Sequence, residues 1–290
     1  MLDLAQLQSF AHVAERGTVA AAARALGYTP PAVSQHIAKL EDELGVALFD
    51  RAAGRLHLTA AGRSLVPVAH QIADLAHTAR SVTAHPIDRP HYRVAGFASA
   101  IAGILVPRLA LLARDMSIDI VEAEDTVALR ELALGSVDVV LVQEYNDEPI
   151  ERDRRFAYTS IVTDQLRLVV HPGLLSSTRV SDLGDSNWLI NGQGTRCAHV
   201  TSGILASRGI RPKVNATVSD NATLLGLVAA GHGVTIVPSL VLEHVTANVI
   251  VSNEELGVAR TVFAVTRTAM QATVLPLLHR LTDTTESETR

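Results

Sequence analysis

Gly17-Thr18 and Gly27 bracket an alanine-rich run, VAAAARAL, too short for anything but a two-turn helix held between neighbours. Glycine supplies the left-handed residue that ends a helix, and threonine accepts the free amides that begin the next. Upstream, Leu4, Leu7, Phe10 and Ala14 recur at helical spacing and stop at Gly17. Downstream, Thr29-Pro30-Pro31 opens a third helix, because proline's missing N–H costs nothing in a first turn. Val33, Ile37, Leu40 and Leu44 form its apolar stripe. The opposite face carries Pro31, Gln35, Ala38 and Lys39, with Ser34 at its edge. Two short helices at a glycine turn, the second presenting small and amide side chains outward, make a helix-turn-helix. Ser and Gln hydrogen-bond base edges, and Pro and Ala let a helix sink into a major groove. An ordinary surface helix fits this stretch equally well.

The following residues separate the two readings. Gly45 to Phe49 returns apolar, residues 50–55 form a polar turn, and Leu56-His57-Leu58 closes a hairpin before Thr59 caps another helix. A hairpin tipped by Arg51 and Arg55 beside a helix-turn-helix reads as a wing set against phosphates. Residues 1–90 carry eight Lys/Arg and eight Asp/Glu, a neutral sum where a DNA-binding domain is usually basic. The acids cluster at 41–43, however, whereas Arg51, Arg55 and Arg63 follow with no acid between them.

The order and spacing of Leu7, Phe10, Val13-Ala14, Gly17-Thr18, Ala22-Ala23, Leu26, Pro31-Ala32-Val33-Ser34, Ile37, Leu40-Glu41, Leu44-Gly45, Leu48-Phe49, Arg51, Leu58-Thr59 and Gly62 resemble the LysR-type transcriptional regulators. The resemblance implies DNA contacts from Thr29, Pro31, Ser34, Gln35 and Lys39, with Arg51 at the wing. Pro30 departs from it, since the family usually carries glutamine there, and the departure bears on operator preference.

Leu65, Val68, Ile72, Leu75, Ala79 and Val82 alternate by threes and fours, the seam of a coiled coil. A linker helix of this kind would hold a homodimer whose two recognition helices read a pseudo-palindromic double-stranded DNA site. The resemblance further implies a dimer of dimers. Residues 85–90, HPIDRP, cannot continue the helix and read as a hinge.

A chain of 290 residues needs more than one core. From Tyr92 onward, strands at 92–97, 118–123, 137–142, 166–170, 188–190, 214–216 and 234–237 alternate with helices, which predicts parallel sheets layered by helices. The fold class is therefore mixed: an all-α winged helix-turn-helix with a long linker helix, then an α/β effector domain of two Rossmann-like subdomains. The last part resembles the type 2 periplasmic-binding-protein architecture. The expected boundaries are 1–60 for the winged module, 61–90 for linker and hinge, and 91–290 for the effector domain. Within it, subdomain I takes 91–162 plus 268–290, and subdomain II takes 163–267.

Ligands in such sheets sit at strand carboxyl ends near helix N-termini. That rule selects Ser99 and Ala100 after the first strand, Asp125 and Thr126 at the second turn, and Gln143 ending the third strand. Across the cleft it selects Asn191, Gly192, Gln193 and Thr195. The expected effector is a small carboxylate or an amino-acid-like metabolite.

Other chemistries find little support. Gly192-x-Gly194 lacks the third glycine of a dinucleotide fingerprint, Ser99 sits in GFASA rather than a nucleophile elbow, and the twelve histidines show no metal spacing. Cys197 has no second cysteine to resolve an oxidised form. No catalytic residue, cofactor or metal is expected. Asp3 replaces the positive charge of a signal peptide, and no apolar run is long enough for a membrane span, so a cytoplasmic location is expected. The competing reading is a solute-binding or enzymatic α/β protein with an accessory helical module.

Overall fold

The computed structural model describes residues 2–52, 55–84, 89–146, 148–174, 178–192, 194–242 and 248–283, excluding the side chains at 51, 52, 55, 74, 77, 78 and 80–84. Three helices open it: α1 (Leu4–Arg16), α2 (Val19–Leu26) and α3 (Pro30–Leu44). Thr18, Thr29, Gly17 and Gly27 cap as the sequence predicts, and Asp3 and Gly45 supply the remaining caps. Asp3, Thr18 and Thr29 accept amide hydrogens in the first turns, and Gly17, Gly27 and Gly45 end the helices with φ of 73°, 69° and 69°. Strands β1 (Phe49–Ala52) and β2 (Arg55–Leu58) pair antiparallel with Phe49 opposite Leu58, and helix α4 (Ala60–Ala84) follows.

Glu41 ties this hairpin to α3. Its carboxylate accepts the N–H groups of Leu48 at 2.7 Å and Phe49 at 3.1 Å, so the wing is fixed relative to the third helix. Gly62 lets α4 start hard against the hairpin, where any Cβ would strike the Leu48 carbonyl. Phe10, Leu40 and Leu48 are the buried centre, with the Phe10 ring tilted against Phe49 at 5.4 Å. Leu134, from the second half of the chain, completes that core.

The second half runs β3 (His91–Gly96), α5 (Ala98–Ala100), a π-helical turn at Ile101–Leu105, α6 (Val106–Asp115), β4 (Ser117–Glu122), α7 (Asp125–Ala133), β5 (Val139–Tyr145) and β6 (Phe156–Val170). It continues through β7 (Asn187–Asn191), α8 (Arg196–Ser207), β8 (Lys213–Val218), α9 (Asn221–Ala229), β9 (Thr235–Pro238), α10 (Ser239–Leu242), β10 (Ile250–Val251), β11 (Ala259–Arg267) and α11 (Gln271–Thr282). A sheet ordered β10-β6-β11-β5-β3-β4, with β9 also on β6, spans both subdomains, and β7 pairs with β8.

Strand β3 is parallel to β4 and β5, as alternation of strands and helices predicts, but β11 is antiparallel to β5 and β6. The sheet is mixed, not parallel throughout. Strand β6 begins at Phe156 rather than near 166, because residues 156–165 carry polar groups at intervals that read as loop until β11 pairs with them. Strand β11 already lies beside β5, so the chain rejoins the first sheet at Ala259, earlier than the expected 268. The first helix of this half starts at Ala98. Its π-turn precedes Pro107, which lies in the first turn of α6.

On α4, Val68 and Leu75 are exposed (Leu75 at 70%) while Leu65 and Ile72 lie partly against the winged core. Ala79 is exposed, the Val82 side chain lies outside the described residues, and so do positions 85–88 of the expected hinge. The two halves meet where Arg16 pairs with Glu131, and where Glu15 accepts from Arg155 at 3.0 Å and lies 3.5 Å from His70. No helix among the described residues is long and apolar enough to cross a membrane.

Candidate functional site

Two surfaces carry the expected chemistry. The first is the leading face of α3. Thr29, Pro31, Ser34, Gln35 and Lys39 are all exposed, whereas Val33, Ile37 and Leu40 are buried beneath them. Thr29 is committed to capping, its Oγ1 accepting from the Ala32 amide at 3.4 Å, so it orients the helix start. Pro30 lies in the same exposed turn. Arg51 occupies β1 of the wing, and its side chain lies outside the described residues.

The second surface is a cleft between the two subdomains. Ser99, Gln143, Asn191 and Thr195 line one cavity of ≈ 50 Å³, together with Cys197, Ser219, Asn221 and Arg260. The remaining expected residues do not line it. Ala100 is buried in the subdomain core, Thr126 is exposed at the start of α7, and Gly192 stands behind the wall. A side chain at Gly192 would meet Ser219 Oγ at 2.6 Å, which explains the glycine. Gln193 lies outside the described residues.

Arg260 organises the cleft, and the strand-and-turn rule did not select it. Its guanidinium is 1% exposed and donates to both Asp164 carboxylate oxygens at 2.9 Å and to Ser99 Oγ at 2.9 Å. Burial works against its charge, and Asp164 more than offsets this, so the guanidinium stays protonated. The signal was present in the alternation of β11: Arg260 shares the inward parity of Val262 and Ala264. Across the cavity, Asn191 Nδ2 donates to Asn221 Oδ1 at 3.0 Å, and Thr195 caps α8 by accepting from Ala198 at 3.2 Å. The cleft thus offers amides, hydroxyls and a neutralised arginine, with the Glu124 carboxylate also in its lining. Burial pushes the Cys197 thiol up, against thiolate chemistry.

Asp125 lies just behind this wall. Its Oδ2 accepts the Gln143 amide at 3.3 Å, while the buried Oδ1 has no partner among the described residues. Burial raises its carboxyl to about 6, opposed by the Gln143 hydrogen bond and by Arg196. A folded-state carboxyl raised above its unfolded value favours folding as pH falls. Between pH 7 and 4 this residue should therefore add on the order of 2 kcal/mol of stability, allowing for solvent screening. Asp125→Asn should raise the pH 7 melting temperature, and the increment should appear as a rise with falling pH in a wild-type-minus-variant curve of melting temperature against pH. An identical pH dependence in the two proteins would refute the buried-carboxylate account. His12, whose burial lowers it to about 4, acts in the opposite direction, and the subtraction removes it.

Comparison with known proteins covers both surfaces. Residues 4–63 match the family of bacterial regulatory helix-turn-helix proteins, lysR family, and residues 88–285 match the LysR substrate binding domain. The probable HTH-type transcriptional regulator LrrA of Synechococcus elongatus is 29% identical over 252 residues, 82% of each chain. The regulator ClcR of Pseudomonas putida is 27% identical over 251 residues, 83% of this chain and 84% of that one. The crystal structure of CbnR, a LysR family transcriptional regulator, superposes with a TM-score of 0.53 at 25% identity, covering 97% of this chain and 98% of that one.

Proposed function

Because the chain belongs to the LysR family of bacterial regulators, we propose that its α3 reads operator DNA under the control of an effector held in the cleft. The protein acts in the cytoplasm and catalyses no reaction. The observation that carries the DNA-reading role is the division of α3: Thr29, Pro31, Ser34, Gln35 and Lys39 are exposed, and every apolar stripe residue but the terminal Leu44 is buried. Ser34 and Gln35 read base edges, Thr29 and Pro31 set the approach of the helix, and Lys39 and Arg51 contact phosphates. A homodimer formed through α4, with Val68 and Leu75 at the seam, presents two such helices to one pseudo-palindromic site, and two dimers assemble into a tetramer.

Residues 1–60, 61–90 and 91–290 serve as DNA-reading module, linker and effector domain. The effector is small, in keeping with the ≈ 50 Å³ cavity, and is a carboxylate or an amino-acid-like molecule held by Ser99, Gln143, Asn191 and Thr195. Ala100, Asp125, Thr126 and Gly192 shape the surrounding turns, and Gln193 belongs to the same candidate set. Both segments of the chain match one regulator family, which favours the regulatory reading over the competing solute-binding or enzymatic one.

Gln35→Ala tests the reading. Losing one base contact should weaken binding to the protein's own upstream region by about 1–3 kcal/mol, roughly fivefold to 150-fold, in a gel shift at fixed salt. Binding to unrelated DNA should not change. Wild-type affinity for the specific site would remove α3 from the role of reader.

A further inference from the structure

A larger cavity lies outside the cleft, at the seam between α4 and the effector domain. Its volume is ≈ 380 Å³, within the range of small-molecule sites. Pro67 and Gln71 of α4 form one wall, and Ala133, Phe156 and Ala269 of the effector domain form the apolar remainder. The charged lining is cationic, Arg154, Arg155 and Arg267 with no carboxylate, beside the polar side chains of His70, Gln71 and Thr268.

These cations are not equivalent. Arg267 is a structural member, donating to the carbonyls of Leu132 and Val137 at 2.7 Å each. Arg155 is held by Asp153 at 2.8 Å and Glu15 at 3.0 Å, acids that stand outside the lining. Arg154 is exposed and has no ion-pair partner among the described residues. An apolar pocket with one uncommitted guanidinium beside a second, partly neutralised one suits a ligand with a single negative charge and an apolar body. Inorganic phosphate would leave the Phe156 wall unused.

We propose that this cavity is a second effector site, taking a small organic monocarboxylate whose charge meets Arg154 and whose apolar body lies against Phe156, Pro67, Ala133 and Ala269. Occupancy bridges α4 to the effector domain, so a ligand here acts on the geometry of the linker helix without entering the cleft.

Calorimetric titration of the full chain with phenylacetate and hexanoate, and separately with acetate and inorganic phosphate, tests the proposal. The first two should bind saturably and at least tenfold more tightly than the last two. Arg154→Glu should weaken phenylacetate binding at least tenfold, and Ala269→Trp, which fills the cavity, should abolish it; both positions are exposed, and an unchanged melting temperature checks that each variant folds. Hydrogen exchange with bound phenylacetate should slow around residues 67–71, 133–134 and 155–156. The proposal is overturned by absence of saturable binding, by phosphate matching phenylacetate, by undiminished binding to Arg154→Glu, or by protection confined to the cleft around 99, 191 and 221.

Discussion

Asp164→Ala is expected to destabilise the effector domain by about 3–5 kcal/mol, because it strands a guanidinium that is already out of water. Asp164 accepts two hydrogen bonds from Arg260 and a third from the Leu240 amide at 3.0 Å. Without it, Arg260 keeps only the neutral acceptors Ser99 and Gln143, at 2.9 and 3.5 Å. A buried pair adds little net stability over an apolar pair of similar size, whereas half a pair is costly. Asp164→Ala combined with Arg260→Met should therefore recover most of the loss. The single tryptophan, Trp188, is fully buried in this domain and donates to the Leu183 carbonyl at 3.1 Å, so its fluorescence reports urea unfolding of this half alone. A single variant that unfolds like wild type would mean that water or another group solvates Arg260. The double variant should nevertheless lose any effector response routed through Ser99, since the hydroxyl's partner is gone.

Phe10→Ala should cost the winged module about 3–5 kcal/mol, the usual range for emptying a buried aromatic site. Phe10 is completely buried, touches Phe49 of the wing, and joins α1 to Leu40 and Leu48. Since small domains are stable by only about 5–15 kcal/mol, this one change should remove a large share of the module's stability and populate its unfolded form far more. Specific DNA retardation should disappear, and amides of residues 4–48 should exchange rapidly. The Trp188 transition should move little. Should both transitions fall by equal amounts, the halves would form one cooperative unit, with Leu134 and the Arg16–Glu131 pair as the coupling.

Local chemistry made the winged module readable. Asp3, Thr18, Thr29, Gly17, Gly27 and Gly45 are caps whose job depends on neighbours within four residues, and each performs it. The cleft was half readable. Ser99, Gln143, Asn191 and Thr195 follow from strand ends and helix starts, a local rule, and they converge. Arg260 and Asp164 are 96 residues apart and meet only because β6 and β11 pair antiparallel, which no window of sequence discloses. The same long-range pairing hid the first ten residues of β6. Ala100 was misread for the opposite reason: it occupies the right turn, but the π-helical segment that follows carries it into the core.

Helix α7 has its first residue, Asp125, hydrogen-bonded to the cleft strand through Gln143. Near its other end, Glu131 grips Arg16, and the next residue after the helix, Leu134, plugs the floor beneath α3. Nine helical residues span about 13 Å and bend little over so short a distance. One short helix thus joins the cleft strand at its start to the core beneath α3 at its end.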